Sequence, residues 1–121
     1  MNKSELVKRF HDAAEDKDLD AYRSVLHQDF CFQAPMMTTI GLDKFTTSVC
    51  ESNFVWKDEV VSMIESEDQV ACVFDWVGLK PFSRTIRISV WYTFEANQFG
   101  ENRIRSADLY YDPSQFPKET H

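Results

Sequence analysis

Apolar positions keep a helical period through much of the first 52 residues and alternate after that. Over residues 4–16, Leu6, Val7, Phe10, Ala13 and Ala14 recur at spacings of three and four, the mark of one buried helical stripe. Ser4 stands at the N-cap position, and Glu5 falls in the first turn, where the helix dipole favours an anion. The charged break Asp16-Lys17-Asp18 ends this helix, and Asp18 caps a second one whose apolar face is Leu19, Tyr22, Val25 and Leu26. A short strand is predicted over 30–34, stopping at Pro35, which has no N–H to give to a ladder. Residues 36–40 read as a loop, Gly41 as a turn, and 42–52 as a third helix with Leu42, Phe45 and Val49 inward.

From residue 54 onward the pattern is that of strands. Residues 54–65 carry Val60, Val61, Met63 and Ile64, and a polar turn follows at 66–68. Residues 69–79 are nearly all apolar, which predicts a strand buried on both faces. A loop over 78–83 leads to 84–95, where Ile86, Ile88, Val90, Tyr92 and Phe94 alternate with Arg87, Ser89, Trp91, Thr93 and Glu95. The last strand, 102–112, puts Ile104, Ser106, Asp108 and Tyr110 on one face and Arg103, Arg105, Ala107, Leu109 and Tyr111 on the other. With the arginines toward water, Asp108 faces inward; a twist or bulge would turn it out. Helices gathered at the start of an antiparallel meander predict an α+β architecture: three N-terminal helices packed in a strongly curved, mostly antiparallel sheet. The sheet's outer face would keep Trp91, Leu109 and Tyr111, an apolar surface that suits a homodimer.

The length of 121 residues predicts a single domain, 1–121, with a core of about 4–113 and a polar, fraying tail over 114–121. A hydrophobic content of 43% supports a full core, and ten Phe suit a curved sheet on helices or a lined cavity. The net charge of -7, with no Lys/Arg cluster, excludes nucleic acid as the expected partner. Three widely spaced cysteines without CxxC spacing predict free thiols and a cytoplasmic setting. No secretory signal and no membrane-length run is read in the chain, so no membrane partner is expected.

Asp108 is the first candidate for chemistry. Facing inward, it would be a desolvated carboxylate with a raised pKa, able to act as acid or base; alternatively it reaches a backbone donor, a Tyr hydroxyl or trapped water. Asp75 sits in the most apolar strand, but a hairpin of 69–79 with 84–95 sets it opposite Arg87. That cross-strand ion pair on the outer face would contribute roughly 0.2–1 kcal/mol, with Cys72, Phe74 and Trp76 lining the inner face. His11 borders the stripe of the first helix and His27 ends the second. Neither has a second ligand at metal spacing, so neither metal nor cofactor is expected. A dyad of either histidine with Asp108 is a three-dimensional possibility.

The run Leu6-Val7-Lys8-Arg9-Phe10, then Asp18-Leu19-Asp20-Ala21-Tyr22, then Asp29-Phe30-Cys31-Phe32-Gln33-Ala34-Pro35, resembles the opening of the ketosteroid isomerases and their SnoaL-like relatives. These belong to the wider nuclear-transport-factor-2-like superfamily. The ending Tyr110-Tyr111-Asp112-Pro113 is similar to their last strand. The resemblance implies a cone-shaped α+β barrel with a pocket between helices and sheet. It also implies three catalytic positions, and here they hold Phe10, Ala34 and Val90, none of which can donate or accept a proton. The paired base and hydrogen-bonding acid of the steroid isomerases are thus absent from their expected places.

The preferred expectation is a pocket for an apolar or aromatic small molecule, lined by Phe10, Tyr22, Met36, Trp56, Cys72, Phe74, Trp76, Val90 and Tyr110. One alternative is an isomerase, cyclase or lyase with Asp108 as acid/base and Tyr110 or Tyr22 polarising a carbonyl. The other is a protein-interaction module that uses the outer sheet face.

Overall fold

The computed structural model describes residues 1–116. The first helix, α1 (Lys3–Asp16), is capped by Asn2, whose side chain accepts from Glu5 N at 2.8 Å, and not by Ser4. Ser4 Oγ instead donates to Glu65. Lys17 closes α1 in the left-handed region (φ 52°), and Asp18 caps α2 (Leu19–Val25) by accepting from Ala21 N. The chain then passes straight into β1 (Leu26–Gln33), so His27 lies in a strand and not at a helix end. A two-residue strand, β2 (Ile40–Gly41), folds back onto Cys31 and Phe32 where a loop was expected. Then follow α3 (Leu42–Cys50), β3 (Val55–Glu65), β4 (Gln69–Lys80), β5 (Arg84–Ala96) and β6 (Asn102–Tyr110).

The six strands form one open sheet in the order β2-β1-β6-β5-β4-β3. Only β1 and β6 run parallel; every other pair is antiparallel. The three helices occupy the concave side. Leu6, Val7, Tyr22 and Val25 bury there against Phe30, Val70, Ile86, Ile88 and Ile104. Phe10 is at the centre of an aromatic cluster, stacked on Phe45 and edge-on to Tyr22 and Tyr92.

Strand β4 corrects the expectation of burial on both faces. Val70, Cys72, Phe74 and Trp76 are buried, whereas Ala71, Val73, Asp75 and Val77 are half-covered. Its register with β5 sets Asp75 opposite Arg87, and the guanidinium donates twice, at 2.9 and 3.1 Å. This fork holds the Asp75 carboxyl below the usual carboxylate range.

Strand β6 corrects the second face assignment. Phe94 pairs with Ile104 and Thr93 with Ser106, leaving Arg105 as an unpaired extra residue. One inserted residue reverses the phase of everything after it. Ile104 and Ala107 therefore both point inward, while Ser106, Asp108 and Tyr110 turn out. Leu109, opposite buried Val90, joins the inside, as does Tyr111. The start of the tail also differs from a frayed end. Pro113–Gln115 makes a 3-10 turn capped by Asp112, and Phe116 packs its ring on Trp76 and Tyr111. The rest of the expected tail, 117–121, lies outside the described residues. Among the described residues, no helix is long and apolar enough to cross a membrane.

Candidate functional site

Strand β3 lies at the sheet edge, and its inner side is set by pairing. Trp56 lies opposite Gly78, Asp58 opposite Trp76, and Val60 opposite Phe74. Asp58 thus shares the concave face with two buried aromatic residues. Helix α1 crosses this face with His11 in its buried stripe, one turn after Val7. His11 Nδ1 lies 2.7 Å from Asp58 Oδ2, and the two side chains are 4% and 5% exposed. On the far side of the ring, His11 Nε2 lies 2.8 Å from the Tyr92 hydroxyl. Tyr92 has no other partner among the described residues. Nδ1 is the ring nitrogen turned to the carboxylate and Nε2 the one turned to the phenol. A second tie runs from the Asp58 backbone N–H to Glu15 Oε1 at 2.5 Å.

Two buried polar atoms have no partner in the described structure, Asp58 Oδ1 and the Tyr22 hydroxyl. Both belong to residues on the wall of the same hollow, about 150 Å³, between α1, α2, α3 and the sheet. Its remaining wall is apolar, chiefly Phe45, Trp56, Phe74, Trp76, Leu109 and Phe116. An adjoining cleft of about 300 Å³ shares Phe32, Phe45, Val49, Trp56, Trp76 and Phe116 and extends past Met37 and Ser52. Another cleft, of about 310 Å³, lies among Arg23, Gln28, Phe99 and Arg103, and no buried unpaired atom faces it.

The hollow's chemistry follows from burial near one carboxylate. Burial, then the charges of Asp58 and Cys50, push the Tyr22 phenol well above its ordinary range. Burial also raises Tyr92, with Cys72, Asp58 and Tyr22 adding to it. The Cys72 thiol is pushed up to about 11 by burial and by Asp58. These groups keep their protons, so Tyr22 presents a hydrogen-bond donor and Asp58 Oδ1 an acceptor.

The structure redistributes the residues expected at the site. Tyr22, Trp56, Phe74 and Trp76 are on the wall of the hollow. Phe10, Cys72 and Val90 are packed into the core instead, and Ala34 is buried at the end of β1. Met36 is 92% exposed, and Tyr110 lies on the outer face. Asp108 does not face the hollow: the Arg105 bulge turns it outward, opposite Trp91 and Gln33. Neither histidine pairs with it. His11 meets Asp58, while His27 accepts from Asp29 N through Nδ1 and lies 3.2 Å from Glu95 through Nε2. Asp58 was not singled out in the sequence. Its signal was the alternation of Trp56, Asp58 and Val60 against Lys57 and Glu59.

An open, curved sheet wrapped on three helices around such a hollow is the α+β cone of the nuclear-transport-factor-2-like proteins. The chain matches the SnoaL-like domain over residues 7–102 and belongs to that family. Among solved structures it is similar to a nuclear-transport-factor-2-like protein of unknown function from Cytophaga hutchinsonii (25% identity, 94% of this chain and 93% of that one, TM-score 0.77). It is similar in fold to a protein with a ketosteroid isomerase-like fold from Catenulispora acidiphila, solved with trimethylamine (16%, 94% and 90%, 0.77). A candidate polyketide cyclase from Pseudomonas putida also shares the fold (15%, 95% and 95%, 0.76). No functionally curated protein matches the chain.

Two predictions follow from the buried pair and its field. Replacing His11 with Phe strands the Asp58 carboxylate in an apolar interior and should cost about 3–5 kcal/mol. The double replacement His11→Phe, Asp58→Leu should recover much of that loss; urea titration of the three proteins measures both. The second concerns alkali. A thiol whose folded value is raised contributes stability that is complete below its unfolded value and lost as pH rises through the folded one. For Cys72 the window runs from 9.0 to about 11. The melting temperature should therefore fall more steeply across that window in the wild type than in Cys72→Ala, followed by circular dichroism.

Proposed function

We propose that the protein binds a small, mostly apolar or aromatic molecule in the hollow between α1, α3 and the sheet. The observation that carries this reading is the pair of buried, unpartnered polar atoms, Asp58 Oδ1 and the Tyr22 hydroxyl, on an otherwise oily wall. Buried polar groups normally find partners, and leaving one unmade costs about 1–3 kcal/mol. A ligand that accepts from Tyr22 and donates to Asp58 removes both costs while its body replaces water against Phe45, Trp56 and Trp76. The combined hollow and cleft fall in the size range of small-molecule sites. Proton transfer at this wall, in an isomerase, cyclase or lyase, falls to Asp58 and not to Asp108, because Asp58 is the carboxylate on the lining. The three unpaired cysteines support a reducing, cytoplasmic setting.

Native mass spectrometry of protein purified from its host should show a retained small molecule. Val49→Trp, which puts a large ring on a wall that hollow and cleft share, should lose it. A wild type that retains nothing and binds no small aromatic probe, neutral or charged, would end this reading.

A second reading is self-association through the outer sheet face. It is supported by exposed apolar residues on this face: Ile64 is 71%, Trp91 46% and Tyr110 58% exposed, with Ala71 between the first two and the short polar side chains of Ser89 and Asp108 beside Tyr110 and Trp91. Leu109 and Tyr111, expected on this face, are turned to the inside by the bulge. Light scattering at micromolar concentration should give a dimer mass, and Trp91→Lys should reduce it to the monomer. A monomeric wild type would remove the homodimer.

A further inference from the structure

We infer that the hollow selects a cation: its ligand is a protonated amine with an apolar body, and the ammonium N–H is held by Asp58 Oδ1. This inference rests on the binding reading above and adds the charge of the ligand to it.

The hollow is walled by a carboxylate with one oxygen that meets no donor. Asp58 has one oxygen on His11 and one on nothing, with its side chain 5% exposed. Both ring nitrogens of His11 are taken, Nδ1 by Asp58 Oδ2 and Nε2 by the Tyr92 hydroxyl, so the ring has nothing to give to Oδ1. No side chain among the described residues donates to that second oxygen. Hydrogen bonds between a carboxylate and a charged donor are about twice as strong as those from a neutral one. No Lys or Arg lines the hollow or the cleft among the described residues. Lys17 is not a lining residue of either; its ammonium donates to Ser52 O and lies 5.5 Å from the Trp56 ring.

An isolated charge in a low-dielectric space is costly, and a bound counter-charge relieves it. A neutral ligand leaves the charge in place, and an anion adds a second one beside it. An aromatic wall also tolerates a cation better than an aliphatic wall does, because ring faces are negative. The hydroxyls of Tyr22 and Tyr92 and the thiol of Cys72 all hold their protons, so none competes with Asp58 for the ammonium.

Three probes of matched shape decide the matter: benzylamine, benzyl alcohol and benzoate, titrated at pH 7 into the full chain by calorimetry and by Trp fluorescence. Benzylamine should bind about tenfold more tightly than benzyl alcohol, and benzoate should not saturate. In Asp58→Asn, checked for native circular dichroism, the amine should fall to within about twofold of the alcohol. Benzyl alcohol or benzoate binding the wild type as well as benzylamine would overturn the cation preference, as would a preference that survives in Asp58→Asn. The wild-type ranking decides without the variant if Asp58→Asn does not fold. Binding of the neutral probe without an amine preference sinks this inference and leaves the binding site standing; no binding by any probe sinks both.

Discussion

The contact between His11 and Asp58 is the constraint on which the rest of the interior depends. A carboxylate on the concave side of a sheet cannot be left alone, and the two elements that meet through it are remote in sequence. Helix α1 supplies the imidazole, the edge strand β3 supplies the carboxylate, and Tyr92 from the middle of β5 holds the far side of the ring. The Asp58 backbone N–H reaches Glu15 on the same helix. Hydrophobic burial would accept α1 at several rotations and offsets, since Leu6, Val7 and Phe10 are adaptable surfaces. Directional bonds at both nitrogens of one ring accept far fewer, so the pair sets where the helix lies and therefore where the hollow opens.

The same arrangement explains why the hollow exists at all. An aliphatic residue at position 58 could pack against Phe74 and Trp76 and close the space. A carboxylate that spends one oxygen on His11 keeps the other bare, and apolar side chains cannot satisfy it. Aromatic rings line the gap without filling it: Trp56 and Trp76 stack at 6.0 Å, and Phe116 folds back over Trp76 at 4.9 Å. Packing around the pair is thus traded for a site with one acceptor, one phenolic donor and oily walls.

How much of this was legible in the sequence follows from where the period of the chain is unbroken. Strands β4 and β5 alternate without interruption, so the Asp75–Arg87 pairing and the inward set Cys72, Phe74, Trp76 and Val90 could be read directly. Strand β6 misleads because Arg105 is inserted after Ile104, and a bulge leaves no mark on composition. The arginines indicated the correct side up to that residue, and every assignment after it was reversed, Asp108 and Leu109 included. The start of β1 was obscured for another reason. Leu26 completes the apolar stripe of α2 and also begins the strand, and the helix-to-strand change has neither Gly nor Pro to announce it.

Asp58 was hidden by its neighbours. In the run Lys57-Asp58-Glu59 it looks like one of three solvated charges, and strand alternation alone separates it from the other two. Asp75 and Asp108 attracted notice because apolar residues flank them, yet a carboxylate between apolar neighbours on a strand is as easily the outward member of an alternating series as the inward one. The opposite holds for Asp58, whose charged neighbours point outward because it points in. The resemblance to steroid isomerases worked in the same way. It correctly indicated the cone while directing attention to Phe10, Ala34 and Val90, positions that carry no proton in this chain. The fold kept its polar centre within the concave side but built it from the next residue along α1, from β3 and from β5. In this chain the scaffold positions the hollow, and the side chains on its walls decide what chemistry it can carry.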